Sequence, residues 1–176
     1  MTNDILVRLL LRKIEEQVES AERLTILVPL DKIEWRPLPE AFRICDLLGH
    51  LLECLAGSCA TLYAVHPDRL AHFLSLREKP VNHCCGIEEA ILRLRDYQES
   101  IREGFQFLTD DELSRMLPTV FVREGEAVLT LLLGNLEHFI NHKYQLFFYL
   151  KMLGIPLATS DLYTIRRNEK RPLTGL

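Results

Sequence analysis

The sequence predicts an all-α fold, a four-helix bundle with short extra helices and a C-terminal arm. Three observations carry that prediction. Four stretches repeat apolar residues at helical spacing, convincing strands are scarce, and 176 residues with 48% hydrophobic and 26% charged side chains can build one core. The length fits one domain. No internal repeat or linker composition divides the chain, so residues 1–156 are assigned to a single helical-bundle domain and 157–176 to the arm.

The first helix is expected over 4–28. Ile5, Leu6, Leu9, Leu10, Ile14, Val18, Ala21 and Leu24 recur at helical spacing, with Lys13, Glu15, Glu16 and Glu19 outside. Pro29, Pro37 and Pro39 punctuate the next stretch. Pro39 suits a first helical turn, so the second helix is expected from there to about Val65, with Pro67 ending it. A short helix is expected over 68–77 and a loop from Pro80 to Gly86. The third helix covers 87–108, turning Ile87, Ile91, Leu94, Ile101, Phe105 and Leu108 inward. Thr109-Asp-Asp-Glu112 has capping-box form and can start one more short turn before Pro118. Residues 119–123 are β-rich but too short and partnerless for a sheet, and are expected to form an extended crossover. The fourth helix spans about 124–153, where Gly154-Ile-Pro156 is a stop signal.

Composition narrows the function. No stretch approaches 18 uninterrupted apolar residues, which argues for a soluble protein without a membrane span. The chain opens on an amphipathic pattern without a basic leader, so export is not expected. Cysteines 45, 54, 59, 84 and 85 form an odd set without disulfide-framework spacing, which suits reduced thiols in a cytoplasm. The net charge is −4, and Arg166, Arg167, Lys170 and Arg171 gather in the arm, leaving a still more acidic body that is a poor partner for nucleic acid.

The fourth helix contains His138-Phe-Ile-Asn-His142, whose two rings at i and i+4 lie about 40° apart on one face and can share a ligand. Alone the pair is a weak signal, since chance supplies one in about one sequence in five of this histidine content. Leu131, Asn135, Tyr149 and Leu153 point within about 60° of the same direction, so the stripe mixes core leucines with polar groups. His50 lies among leucines on the second helix. If helices two and four are neighbours, His50 faces the pair, giving three nitrogens with an open fourth position, as in catalytic zinc sites.

These segments carry a resemblance. Leu-Leu-Gly-His50-Leu, together with Leu136-Glu-His138-Phe-Ile-Asn-His142-Lys-Tyr-Gln145-Leu and the Tyr149-Leu-Lys-Met-Leu-Gly154 close, is similar to the DinB/YfiT superfamily. The resemblance covers the helix layout from about 4 to 156. It implies a four-helix bundle, commonly a homodimer, in which His50, His138 and His142 hold a divalent metal, zinc or nickel. It also implies a thiol-dependent transferase or isomerase acting on a small molecule with a low-molecular-weight thiol. The family often has a second histidine directly before the last ligand and a glycine before the glutamine, where this chain has Asn141 and Tyr144.

Other candidates rank below the histidines. Cys54, four residues after His50, could join a ligand set, although a cysteine on a leucine-rich helix is usually core, as Cys45 and Cys59 are expected to be. His83-Cys84-Cys85 matches no zinc spacing and is expected in a solvent-side loop. Glu53, Asn141 and Tyr149 are the candidate catalytic or orienting groups by helical position, Glu53 as a general base. There is no Glu-x-x-His pair for a di-iron centre, no phosphate loop and no Gly-x-Ser-x-Gly elbow. The residues leave two readings open: a metal-dependent transferase, isomerase or hydrolase, or a non-catalytic dimeric helical module that binds or regulates a partner.

Overall fold

The computed structural model describes residues 4–119 and 122–163. Four long helices dominate: α1 (Ile5–Ile26), α2 (Ile44–Val65), α3 (Ile87–Phe105) and α4 (Val128–Met152). Helix α2 packs most extensively against α4 and α3, and α1 packs against α3 and then α4, so α1 and α2 sit on opposite corners of the bundle. The adjacency of helices two and four, a condition for the histidine site in the sequence, is thus met.

The core forms where the periodic patterns meet. Val18, Ala21 and Leu24 of α1, Leu47, Leu51 and Leu62 of α2, Leu94, Tyr97 and Ile101 of α3, and Leu132, Leu146 and Leu150 of α4 are buried together. Helix α2 has the length and composition of a membrane span, but 61% of its most apolar window is buried inside this bundle. A central helix surrounded by others has to be apolar on most sides.

Several expected boundaries move. The third helix ends at Phe105, not 108, because the Gln106, Phe107 and Leu108 amides donate to the carbonyls of Glu103, Gly104 and Phe105 in tighter turns. The second helix starts at Ile44, not near Pro39, because the amides of Ile44 and Cys45 donate to the carbonyls of Trp35 and Ile33 at 3.0 and 2.9 Å. Those bonds fold segment 33–43 back on the start of α2 instead of letting it extend the helix. The fourth helix starts at Val128, not 124. Residues 124–127 belong to a small antiparallel hairpin, β1 (Met116–Leu117) paired with β2 (Glu126–Ala127), in which Met116 faces Ala127. The hairpin turns through Gly125 at φ +86°, a conformation open to glycine; a Cβ there would lie 2.6 Å from the Leu117 carbonyl oxygen. Of the expected crossover at 119–123, residues 119, 122 and 123 lie between the two strands without pairing, and residues 120 and 121 lie outside the described residues.

Shorter 3₁₀ turns lie between the helices at Leu30–Lys32, Ala71–Glu78 and Glu112–Ser114, and one follows α4 at Thr159–Leu162. The capping box at Thr109 forms: the Glu112 carboxylate accepts from the Thr109 amide at 2.9 Å, and the Glu112 amide donates to Thr109 Oγ1 at 3.3 Å. The start of the arm docks on its own bundle. Leu162 is buried, its carbonyl accepting from Ser20 Oγ at 3.0 Å and from the buried Lys143 ammonium at 2.8 Å. The rest of the arm, from 164, lies outside the described residues.

Candidate metal centre

His50, on the second turn of α2, meets His138 and His142, on consecutive turns of α4. Ring centroids are 5.0 Å apart for His50 and His138, 4.4 Å for His50 and His142, and 4.8 Å for His138 and His142. One nitrogen from each ring lies within 4.8 Å of the others, so the three could hold a metal ion.

The outer ring nitrogens define which atoms face inward. Nδ1 of His50 lies 2.5 Å from Asn82 Oδ1 and 3.0 Å from Glu53 Oε2. Both oxygens accept, so this nitrogen carries the proton. Nδ1 of His142 lies 3.0 Å from Gln145 Oε1, while Gln145 Nε2 donates to the Tyr149 hydroxyl at 2.8 Å. Two of the three rings are thereby set with Nε2 as the lone-pair atom, the support that metal-binding imidazoles usually receive from carboxylate or carbonyl neighbours.

The inward atoms then approach closely. His50 Nε2 and His138 Nε2 are 3.1 Å apart. At that distance the His138 Nε2–H tautomer donates to the His50 lone pair, and a metal ion bound by both rings would take the place of that proton. Burial, opposed by the hydrogen bond with Gln145, holds His142 below the ordinary histidine range, and the neighbouring His50 and His138 rings act in the same direction as burial. Two imidazole ligands of a tetrahedral ion are about 3.3 Å apart, from Zn–N bonds of about 2.0–2.1 Å, and the observed spacing is close to that. The three-nitrogen donor set therefore fits a metal ion.

Local sequence explains the placement. Gly49 allows the 82–83 backbone to press on α2: a Cβ there would lie 2.0 Å from the His83 carbonyl oxygen. The Asn82 amide also donates to the Gly49 carbonyl at 3.2 Å. Asn82 has φ +55°, a left-handed conformation that asparagine tolerates better than most residues, and this turn carries its side chain to His50. Phe42, from the folded-back segment, covers the cluster with its ring centroid 5.2 Å from His50 and 6.0 Å from His142.

Beside His138 opens a cleft of about 570 Å³, lined by Glu53, Cys54, Gly57, Arg77 and Asn135. Gly57 leaves room for the Asn135 amide, since a Cβ there would lie 2.4 Å from Asn135 Oδ1. The other sequence candidates take different places. Glu53 stands against His50 Nδ1, and Tyr149 is buried, reaching His142 through Gln145. Asn141 is exposed on α4, and no hydrogen bond among the described residues ties it to the rings. Cys54 bonds the His50 carbonyl oxygen at 3.5 Å and lies outside the three-histidine group; burial pushes its thiol up to about 12.

Asn82 and Phe42 join the site without having stood out in the sequence, whereas Gln145 belongs to the motif quoted with His142. Gln145 had a signal, since i+3 from His142 is the same helical face. Asn82 and Phe42 had none, because both arrive from loops.

In fold the chain is a DinB-like helical bundle. The solved structure that carries this assignment is a DinB-like protein of Bacillus subtilis, YjoA, which superposes with a TM-score of 0.66 at 16% identity, covering 84% of this chain and 94% of that one. No family model and no curated protein matches the sequence.

Proposed function

We propose that this protein is a divalent-metal-dependent enzyme in which His50, His138 and His142 hold Zn²⁺ or Ni²⁺. It joins a low-molecular-weight thiol to a small electrophile, or isomerises that electrophile. The observation that carries the reading is the convergence of three imidazoles, one nitrogen of each within 4.8 Å of the others, beside an open cleft. A bound divalent ion supplies Lewis acidity there, stabilising the anion of a thiol or of water at neutral pH. The chain supplies the rest. Asn82, Glu53 and Gln145 keep the rings turned inward. Phe42 shields one side of the cluster, and Arg77 on the cleft wall offers a planar cation suited to a substrate carboxylate. Five free cysteines suit a reducing compartment such as the cytoplasm.

Metal analysis of protein purified without an affinity tag tests the first step. The histidine site is expected to carry or take up one equivalent of Zn²⁺ or Ni²⁺, with metal-dependent consumption of a small thiol and an electrophile. His142→Ala should weaken binding at that site by more than the roughly 10- to 100-fold that loss of a supporting neighbour costs. A three-histidine site that neither carries nor gains metal overturns the reading. One observation favours a second reading, a non-catalytic dimeric binding or regulatory module: the Glu53 carboxylate is already engaged with His50. Turnover of thiol and electrophile excludes that alternative.

A further inference from the structure

Three chain segments meet on the far side of the first turn of α2. The bonds that fold 33–35 back on the helix bring in Glu34, and the Cys85 amide, donating to the Cys45 carbonyl at 3.0 Å, brings in Cys84. The Cys84 thiol donates to Glu34 Oε1 at 3.4 Å, and the Cys45 thiol donates to the same oxygen at 3.7 Å. One ligand atom from each of the three lies within 4.8 Å of the others. We propose that Glu34, Cys45 and Cys84 form a second cation site, separate from the histidine cluster, that takes a thiophilic divalent ion through two thiolates and one carboxylate oxygen.

The spacing fits such an ion. Metal–sulfur bonds of about 2.3 Å and metal–oxygen bonds of about 2.1 Å at tetrahedral angles place sulfur and oxygen about 3.6 Å apart, between the two observed distances. Arg43 completes the surroundings. Its Nη1 holds the second Glu34 oxygen at 2.5 Å, while its Nε and Nη2 hold Asp46 at 2.7 and 2.8 Å. The carboxylate is thus oriented by a neighbour of fixed charge. Two thiolates, a carboxylate and a divalent cation sum to one negative charge, the neighbouring Asp46 adds a second, and Arg43 offsets one of them.

Burial, then the adjacent Cys84 and Asp46, push the Cys45 thiol up to about 12. Ion binding releases both thiol protons to solvent, so affinity rises with pH. Cys84 is exposed and Cys45 buried, which gives the ion an entry side and leaves room for solvent to complete its shell. Two sulfur ligands favour zinc or cadmium over magnesium or calcium.

The test is a Cd²⁺ titration of the reduced full-length chain, read by the ultraviolet sulfur-to-metal charge-transfer band that imidazole ligands do not produce. The band is expected in the wild type. Cys84→Ser, an exposed substitution, should abolish it with helical circular dichroism unchanged. Glu34→Gln should keep the band and weaken binding by about tenfold or more. His142→Ala should leave the band intact, so failure of the histidine reading stays distinguishable. Absence of the band at excess Cd²⁺ overturns the proposal, as does an equal band in Cys84→Ser. A reduced pair that closes to a disulfide in air but takes no cadmium also overturns it.

Discussion

The identity of single residues decides how well the two histidine-bearing helices are held in register with the loop beside them. Gly49 and Gly134 are both helical glycines, yet they answer to different physics. At Gly49 a Cβ would lie 2.0 Å from the His83 carbonyl oxygen and 2.8 Å from its amide nitrogen, and these are backbone atoms that cannot rotate aside. Gly49→Ala must lift the 82–83 loop and with it the Asn82 oxygen on His50. We expect a loss of about 1–3 kcal/mol of stability from overpacking and roughly 10- to 100-fold weaker zinc binding from the lost support. At Gly134 no atom lies within 4 Å of the position a Cβ would take, so alanine there gains helix propensity without a clash. Gly134→Ala should stabilise the fold by about 0.5–1 kcal/mol and leave zinc affinity unchanged. Denaturant unfolding and zinc titration of the two variants check the contrast. Equal behaviour would remove the assigned role of Gly49.

Helix termini in this bundle rely on partners far away in sequence. Helix α1 has no side-chain cap of its own; instead Asp110, after α3, accepts from the Leu6 and Val7 amides at 3.2 and 2.9 Å. Asp4 returns the bond by accepting from the Asp110 amide at 3.0 Å. Asp110→Ala should cost about 1 kcal/mol, the usual value of a lost N-terminal cap, read as a lower denaturant midpoint with unchanged slope. Asp110→Asn, which keeps an acceptor, should recover most of it. The same dependence explains what could be read in the sequence. The apolar spacing of Val18, Ala21 and Leu24, or of Leu132, Leu146 and Leu150, is a local record of burial, and those helices were legible from it. The start of α2 was not, because Pro39 is compatible with a first turn and only the bonds from Ile44 and Cys45 to Trp35 and Ile33 rule it out. The histidine pair was legible for the same reason as the core, by periodicity. The Glu34, Cys45 and Cys84 cluster was not, since its three residues meet only after two loops have packed on one helix.

The two chemistry-bearing helices are joined by a long stretch of chain, with α3 and the hairpin between them, so an ion shared by His50 and the α4 pair acts as a crosslink across the bundle. Such a crosslink exists only in the folded state, because in the unfolded chain these imidazoles are far apart. At free zinc about 100 times its dissociation constant, binding to the native state alone adds about 2.7 kcal/mol. For a chain of this length that raises the thermal midpoint by roughly 5–10 °C. The core should be stable without the ion, since Leu47, Leu51, Leu132 and Leu150 are buried regardless of it. Chelated protein is therefore expected to remain helical and to melt cooperatively at a lower temperature, not to unfold. His142→Ala should melt near the chelated wild type and gain no stability at this site when zinc is restored. With Cys84→Ser in the background to silence the proposed Glu34, Cys45 and Cys84 site, equal midpoints for zinc-loaded and chelated protein would show that the three imidazoles take no ion in the native state.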